Sequence, residues 1–262
     1  MDLKALLPAV LEIARRAGEE IMKIYETDFD VTRKDDRSPL TAADLAANAT
    51  IVAGLRDLEP RYPILSEESA TVPYVERSRW NPYWLVDPLD GTKEFVNRNG
   101  EFTVNIALIH DHVPVLGVVH APAQQLDYYA ARGVGAYREQ VGRRSSLHVA
   151  RLDGRPARVV GSRSHRGPLL DGYLDRLGPH EMVPMGSSLK FCIVAEGRAD
   201  LYPRLGPTSE WDTAAAQAVV ECAGGTVVDV EGRPLRYNQR DEVLNPHFLV
   251  YGDAARDWRA FL

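Results

Sequence analysis

The chain has 262 residues, of which 45% are hydrophobic and 26% charged, a balance that fits a folded globular protein and excludes disordered and fibrous classes. A formal net charge of -6 gives no general field for nucleic acid or an anionic membrane, so an anionic ligand must be held by local cations or by metal. Cys192 and Cys222 stand far apart without CxxC spacing, which argues against a disulfide framework and a cysteine zinc site; both read as buried small apolar residues.

Residues 2–26 place Leu3, Leu6, Leu7, Val10, Leu11, Ile13, Ala14, Ala17, Ile21 and Ile24 at helical spacing. Mixed charges run through this helix, unlike a signal peptide, and no later run reaches the roughly 18 apolar residues of a membrane span. A cytoplasmic protein without a transmembrane segment is expected, peripheral membrane association being left open. The polar segment TRKDDRSP ends the first helix, and Thr41, three residues before Asp44, predicts a capping box opening a second. The runs PILSEE, YWLVDP, FTVNIALIH, VPVLGVVH and LDYYAA predict a mostly antiparallel sheet packed on these two helices, with a hairpin turn at HDHVP.

From about residue 156 the texture alternates. RVVGS, EMVPM, ADLYP, TVVDV and HFLVYG read as strands, and 167–177, SLKFCIVAEG and 212–222 as helices. The fold class is therefore α/β, with an α+β lobe over 1–150 and an α/β lobe over 151–262. The boundary is placed in GRRSSLHVARLDGRP, where hydrophobic periodicity lapses, and the lobes are expected to share a broad interface.

The chemistry concentrates in the β-run Trp84-Leu85-Val86-Asp87-Pro88-Leu89-Asp90-Gly91-Thr92, where Pro and Gly predict a tight turn aiming Asp87 and Asp90 at one point. Taken alone, it could also be an ordinary Asp-rich turn, the weaker of the two readings. Glu67 and Glu68 close the run Ile64-Leu65-Ser66, and two adjacent acids without a nearby base suit a bound cation or a solvated strand end. Asp212, in Ser209-Glu210-Trp211-Asp212-Thr213, heads an apolar helix ending in Gly-Gly and has a structural alternative as a capping acid. Carboxylates with few histidines among them specify a hard, oxygen-liganded cation, so magnesium or manganese is expected. His110-Asp111-His112 reads as a hydrated turn.

The combination ILSEES, WLVDPLDGTKEF, GEFTVNIALI and SEWDTAAAQAVVECAGG, in that order over most of the chain, resembles the lithium-sensitive, magnesium-dependent phosphatases that include inositol monophosphatase and fructose bisphosphatase. The Lys93-Glu94-Phe95 that follows Asp90-Gly91-Thr92, together with NGEFTVNIALI, is similar to the CysQ-type bisphosphate nucleotidases of that superfamily.

The resemblance implies a layered αβαβα sandwich with two or three magnesium ions, replaceable by manganese and inhibited by lithium. It implies that Glu67, Asp87 and the Leu89 carbonyl hold one ion and that Asp87, Asp90 and Asp212 hold a second. Asp44 and Thr92 match the pair that orients and deprotonates the attacking water. Gly91 and Thr92, with the ligands Glu67, Leu89, Asp90 and Asp212, fall around the scissile phosphate. Ser162, His165, Ser187, Lys190 and Arg204 fall where the nucleotide and its second phosphate are contacted. Gly161–His165 and Gly186–Lys190 each follow a strand and precede a helix, so their amides could also face a phosphate. The implied reaction is removal of the 3'-phosphate of adenosine 3',5'-bisphosphate, and action on its sulfated analogue, by a monomer or homodimer that binds no nucleic acid. Two alternatives remain at this stage: an inositol monophosphatase or broad sugar phosphatase on the same metals, and a non-catalytic nucleotide or metal sensor.

Overall fold

The computed structural model describes residues 1–27, 39–69, 72–161 and 167–262. Most of the polar segment TRKDDRSP lies outside them. Helix α1 spans Leu3–Tyr25, capped by Asp2, whose carboxylate accepts a hydrogen bond from the Ala5 amide at 3.1 Å. Its helically spaced positions Leu6, Val10, Ile13, Ala14, Ala17 and Ile21 are buried. Helix α2 spans Pro39–Arg56 and so begins before Thr41. Pro39 takes the first helical position, where a missing amide hydrogen costs nothing. Thr41 and Asp44 therefore lie inside the helix, and Thr41 is not the residue that opens it.

The chain continues through β1 (Ile64–Ser66), α3 (Tyr74–Arg77), β2 (Tyr83–Asp90), α4 (Thr92–Val96), β3 (Thr103–His110), β4 (Val113–Ala121), β5 (Leu126–Ala131), β6 (Gly135–Gln140) and β7 (Arg143–Ser146). These seven strands form one sheet in chain order, with β1 parallel to β2 and every other pair antiparallel. The expected hairpin turn between β3 and β4 is made by Asp111 and His112, at φ 51° and 62°, the left-handed conformation that tight hairpins need. Strand β7 was not legible as a strand. All four of its residues are exposed, and an edge strand without a core face carries no alternation.

The remainder comprises β8 (Ala157–Gly161), α5 (Pro168–Leu177), β9 (His180–Pro184), α6 (Leu189–Ala195), β10 (Leu201–Arg204), α7 (Glu210–Cys222), β11 (Thr226–Asp229) and β12 (Phe248–Tyr251). Its sheet runs β11-β12-β10-β8-β9.

Apolar contacts stack these elements into five layers. Helices α1 and α2 cover one face of the first sheet, over Trp84, Val86, Val104, Ile106 and Val118. Helices α6 and α7 lie between the sheets, packed by Tyr83, Leu85 and Ala107 from one and by Val160, Tyr202 and Phe248 from the other. Helix α5 covers the outer face with Val159, Leu201, Leu249 and Trp258. This is the αβαβα sandwich of the α/β class. Burial on both faces explains why β2 to β5 read as nearly continuous apolar runs. The approach of α7 to β4 is close at Gly117, where a Cβ would stand 2.1 Å from the Ala215 carbonyl oxygen.

Candidate active site

Side chains three apart on a regular strand point to opposite faces. Asp87 pairs with Asn105 and Asp90 with Thr103, so three steps on β2 answer two on β3, and the register shifts between them. This bulge returns Asp90 to the face of Asp87, since their partners are two apart. Both acids lie at the end of β2, and the tight turn expected between strand and loop follows them directly, at Gly91 with φ 93°. A side chain at Gly91 would also press on the backbone of Glu101 and Phe102 at 3.2 Å. Asp87 is buried, and its Oδ1 accepts the Leu89 amide at 3.0 Å.

Asp212 reaches the same place from the first turn of α7. Its Oδ2 accepts the Ser209 amide at 2.9 Å, so it is a capping acid and a member of the cluster at once. Glu67 is exposed on the short turn after β1, and Asp44 approaches from α2.

The electrostatics show that these groups share one space. Burial raises the Asp87 carboxyl well above the ordinary range, and Asp90, Asp212, Glu67 and Asp44 all push it further. Burial likewise raises Asp90 against the opposing pull of Lys190 and the Ser188 amide. Asp212 is pushed up to about 7 by burial and then by Asp90. Asp44 is pushed up to about 8 by burial, then by Glu68 and Glu67, and its Oδ1 is buried without a hydrogen-bond partner. Glu67 is raised by partial burial, Asp90 and Glu68.

Among the described residues, no three His, Cys, Asp or Glu side chains already close on one point as a metal shell. The donor chemistry nonetheless fits a hard divalent cation: one buried and several half-buried, mutually repelling carboxylates, one with an orphaned oxygen, and no imidazole or thiolate. Thr92 opens α4 and is exposed, and no hydrogen bond among the described residues joins it to Asp44.

The cations lie beside this cluster. Burial lowers the Lys190 ammonium, with Asp90 opposing and Arg204 adding to that shift, so all three are within electrostatic reach. Lys190 Nζ donates to the Ser187 carbonyl at 2.8 Å, and Arg204 keeps a buried Nε without a partner. Asp90, Ser187, Lys190, Arg204 and Asp212 line one cavity of about 90 Å³. Tyr202 and Thr208 line it too. Neither was singled out in the sequence, where a lone Tyr or Thr in a loop-flanked strand carries no signal.

The 186–190 segment differs from expectation. The Gly186 amide donates to Glu101 Oε2 at 2.7 Å and the Ser188 amide to Asp90 Oδ2 at 2.5 Å, so these groups serve the protein itself and are not available to a phosphate. Ser162 and His165 lie outside the described residues. A larger cavity of about 550 Å³, between α1 and the β4–β6 edge, contains none of the cluster. Its acid Asp127 is paired with Arg15 and His120, which marks that cavity as electrostatically settled.

A family model described as the inositol monophosphatase family matches residues 2–258. The chain is 53% identical over 247 residues to the 3'(2'),5'-bisphosphate nucleotidase CysQ of Salmonella typhimurium, covering 94% of this chain and 99% of that one. Among solved structures it is similar to CysQ from Bacteroides thetaiotaomicron, with 43% identity and a TM-score of 0.85 over 95% of this chain and 97% of that one. An inositol monophosphatase from Anabaena superposes with a TM-score of 0.80 at 25% identity, covering 100% of this chain and 96% of that one.

Proposed function

The chain belongs to the inositol monophosphatase family, and we propose that within it the protein is a 3'(2'),5'-bisphosphate nucleotidase that hydrolyses adenosine 3',5'-bisphosphate to AMP and phosphate. The observation that carries this reading is the cavity in which Lys190 and Arg204 stand beside Asp90 and Asp212. A substrate with two phosphates needs carboxylates to hold a cation at one and fixed side-chain cations at the other, whereas an inositol monophosphate needs only the first. Full-length similarity to a CysQ nucleotidase supports the same choice over a sugar phosphatase or a sensor. The sulfated analogue, with the same 3'-phosphate, is a second expected substrate.

Glu67, Asp87 and the Leu89 carbonyl are proposed to hold one magnesium ion, and Asp87, Asp90 and Asp212 a second, with a third ion optional, manganese able to substitute and lithium inhibitory. Bound there, such ions lower the pKa of water and neutralise the charge that builds on the phosphate and the leaving oxygen. The chain's own groups do the rest. Asp44 accepts the proton of the attacking water through the Thr92 hydroxyl, which must move toward it from its exposed position. Gly91 permits the turn that brings Thr92 to the end of β2. Ser187, Lys190 and Arg204 hold the 5'-phosphate, and Ser162 and His165 are assigned to the nucleotide. As water bonds to phosphorus the bond to the 3'-oxygen breaks, that oxygen taking a proton from solvent water to leave as the ribose hydroxyl.

In this reading residues 1–150 form the metal-holding lobe and 151–262 the nucleotide-reading lobe. A cytoplasmic monomer or homodimer is proposed; no helix among the described residues is long and apolar enough to cross a membrane.

The test is phosphate release with magnesium from adenosine 3',5'-bisphosphate and from inositol 1-phosphate at equal concentrations, with and without lithium. A lithium-sensitive preference for the nucleotide of about a hundredfold, ~2.7 kcal/mol of transition-state discrimination, is expected. Comparable rates would hand the function to the inositol branch.

A further inference from the structure

Between the carboxylates of β2 and the cations of the second half lies a small, fully enclosed polar network. Ser188 Oγ donates to Asn105 Oδ1 at 2.8 Å and lies 2.9 Å from Thr103 Oγ1. Its single proton is spent on Asn105, so it accepts the proton of Thr103. Ser188, Asn105 and Thr103 are all at most 3% exposed. Asn105 and Thr103 are also the strand partners of Asp87 and Asp90.

Core packing alone does not account for this choice of residues. Asn105 is an amide at 1% exposure, and it acts on Asp90 to favour the charged carboxylate, which a leucine of similar size could not do. Ser187, next in the chain, is held at φ 42°, a left-handed conformation that a serine keeps only when its surroundings over-determine it. What holds it is visible on both sides: Gly186 on Glu101, Ser188 on Asp90 and Asn105, and Lys190 Nζ on the Ser187 carbonyl. Two adjacent serines thus tie an acid from the first sheet, through the Ser188 amide, to a lysine from the second half, through the Ser187 carbonyl.

We infer that Ser188 and Asn105 are positioning residues that lock Asp90 to the Ser187–Lys190 segment, so that cation binding and phosphate binding depend on one buried network. Neither side chain needs to touch the reacting atoms. Outer groups that orient a carboxylate ligand govern how well it binds its ion, and sites sharing one mechanical element are coupled in both directions. The inference rests on the proposal that Asp90 is a metal ligand.

The experiment compares wild type, Ser188→Ala and Ser188→Thr by titrating the substrate-free protein with Mn2+ and following free ion by electron paramagnetic resonance. Steady-state kinetics and melting temperature are recorded alongside. Ser188→Ala is expected to weaken Mn2+ binding by about tenfold or more and to raise KM, with a melting temperature near that of wild type. Ser188→Thr, which keeps the hydroxyl, restores both. Mn2+ affinity in Ser188→Ala within about twofold of wild type, or equal loss in the alanine and threonine variants, would overturn the inference. Should Ser188→Ala fail to fold, Thr103→Val removes one hydroxyl of the same network at nearly constant volume and is read by the same criterion. A wild-type chain that binds no Mn2+ would instead overturn the metal reading on which the inference stands.

Discussion

Two groups of buried acids in this molecule are settled in opposite ways. At the end of β2, burial raises Asp87, Asp90 and Asp212 above the ordinary carboxylate range, and neighbouring acids push each further, Glu94 in the case of Asp90. At the start of the second sheet, Asp200 is just as enclosed, yet Arg155 and Arg158 bond it at 2.6–2.9 Å and hold its carboxyl well below that range. Asp127, between Arg15 and His120, is lowered in the same manner. Paired acids stabilise the fold they sit in. Acids gathered without enough cations weaken it, and are explained by a ligand that supplies the missing charge.

That contrast can be broken by substitution. The largest effect is expected at Asp90→Asn, which should lower kcat for phosphate release by about a thousandfold or more, ~4 kcal/mol, while the melting temperature holds or rises as a repelling charge is lost. Near-normal turnover would remove Asp90 from the cation site. Asp44→Asn should lower kcat by about a hundredfold, the scale of a lost general base, and an unchanged kcat would assign the proton transfer elsewhere.

Asp200→Asn should behave in the opposite sense. Two arginines that are only partly exposed would lose their counter-charge, costing about 2 kcal/mol of unfolding free energy in denaturant titration with kcat unchanged. A loss of activity without a loss of stability would sink the division between the two groups. The smallest effect concerns pH. Because the folded value of Asp200 is depressed, its stabilisation is complete above the ordinary carboxylate value near 3.8 and is lost as pH falls toward the lower folded value. Melting temperature should therefore drop below about pH 4, and by less in Asp200→Asn than in wild type. Parallel curves for the two would mean that the ion pair contributes nothing to acid sensitivity.

Local signals in the sequence carried most of the secondary structure. The apolar spacing of α1, the β-branched runs of β2 to β5 and the Gly-Gly close of α7 each fall where their physics predicts. The failures share a cause. The start of α2 depended on Pro39 overriding an attractive Thr41 cap, and β7 is held by pairing with β6 alone. At the site, the sequence alone points to Glu67, Asp87, Asp90, Asp212, Lys190 and Arg204, and the fold brings them within electrostatic reach of one another. The bulge that turns Asp90 to the side of Asp87 was not legible, because it exists only relative to β3. Ser188 was hidden for the same reason: a serine beside a serine gains meaning from residues more than eighty positions away.

Gly117 sets a dimension that no loop controls. With no Cβ there, the backbone of Ala215 settles directly onto β4, and Asp212, one turn earlier on the same helix, is carried to a fixed depth over β2. The spacing between acids from the two halves of the chain is thus gauged by the thickness of one missing methyl group. Connecting segments can lengthen or shorten without altering that gauge. A single carbon added at position 117 cannot be absorbed, since what it meets is main chain.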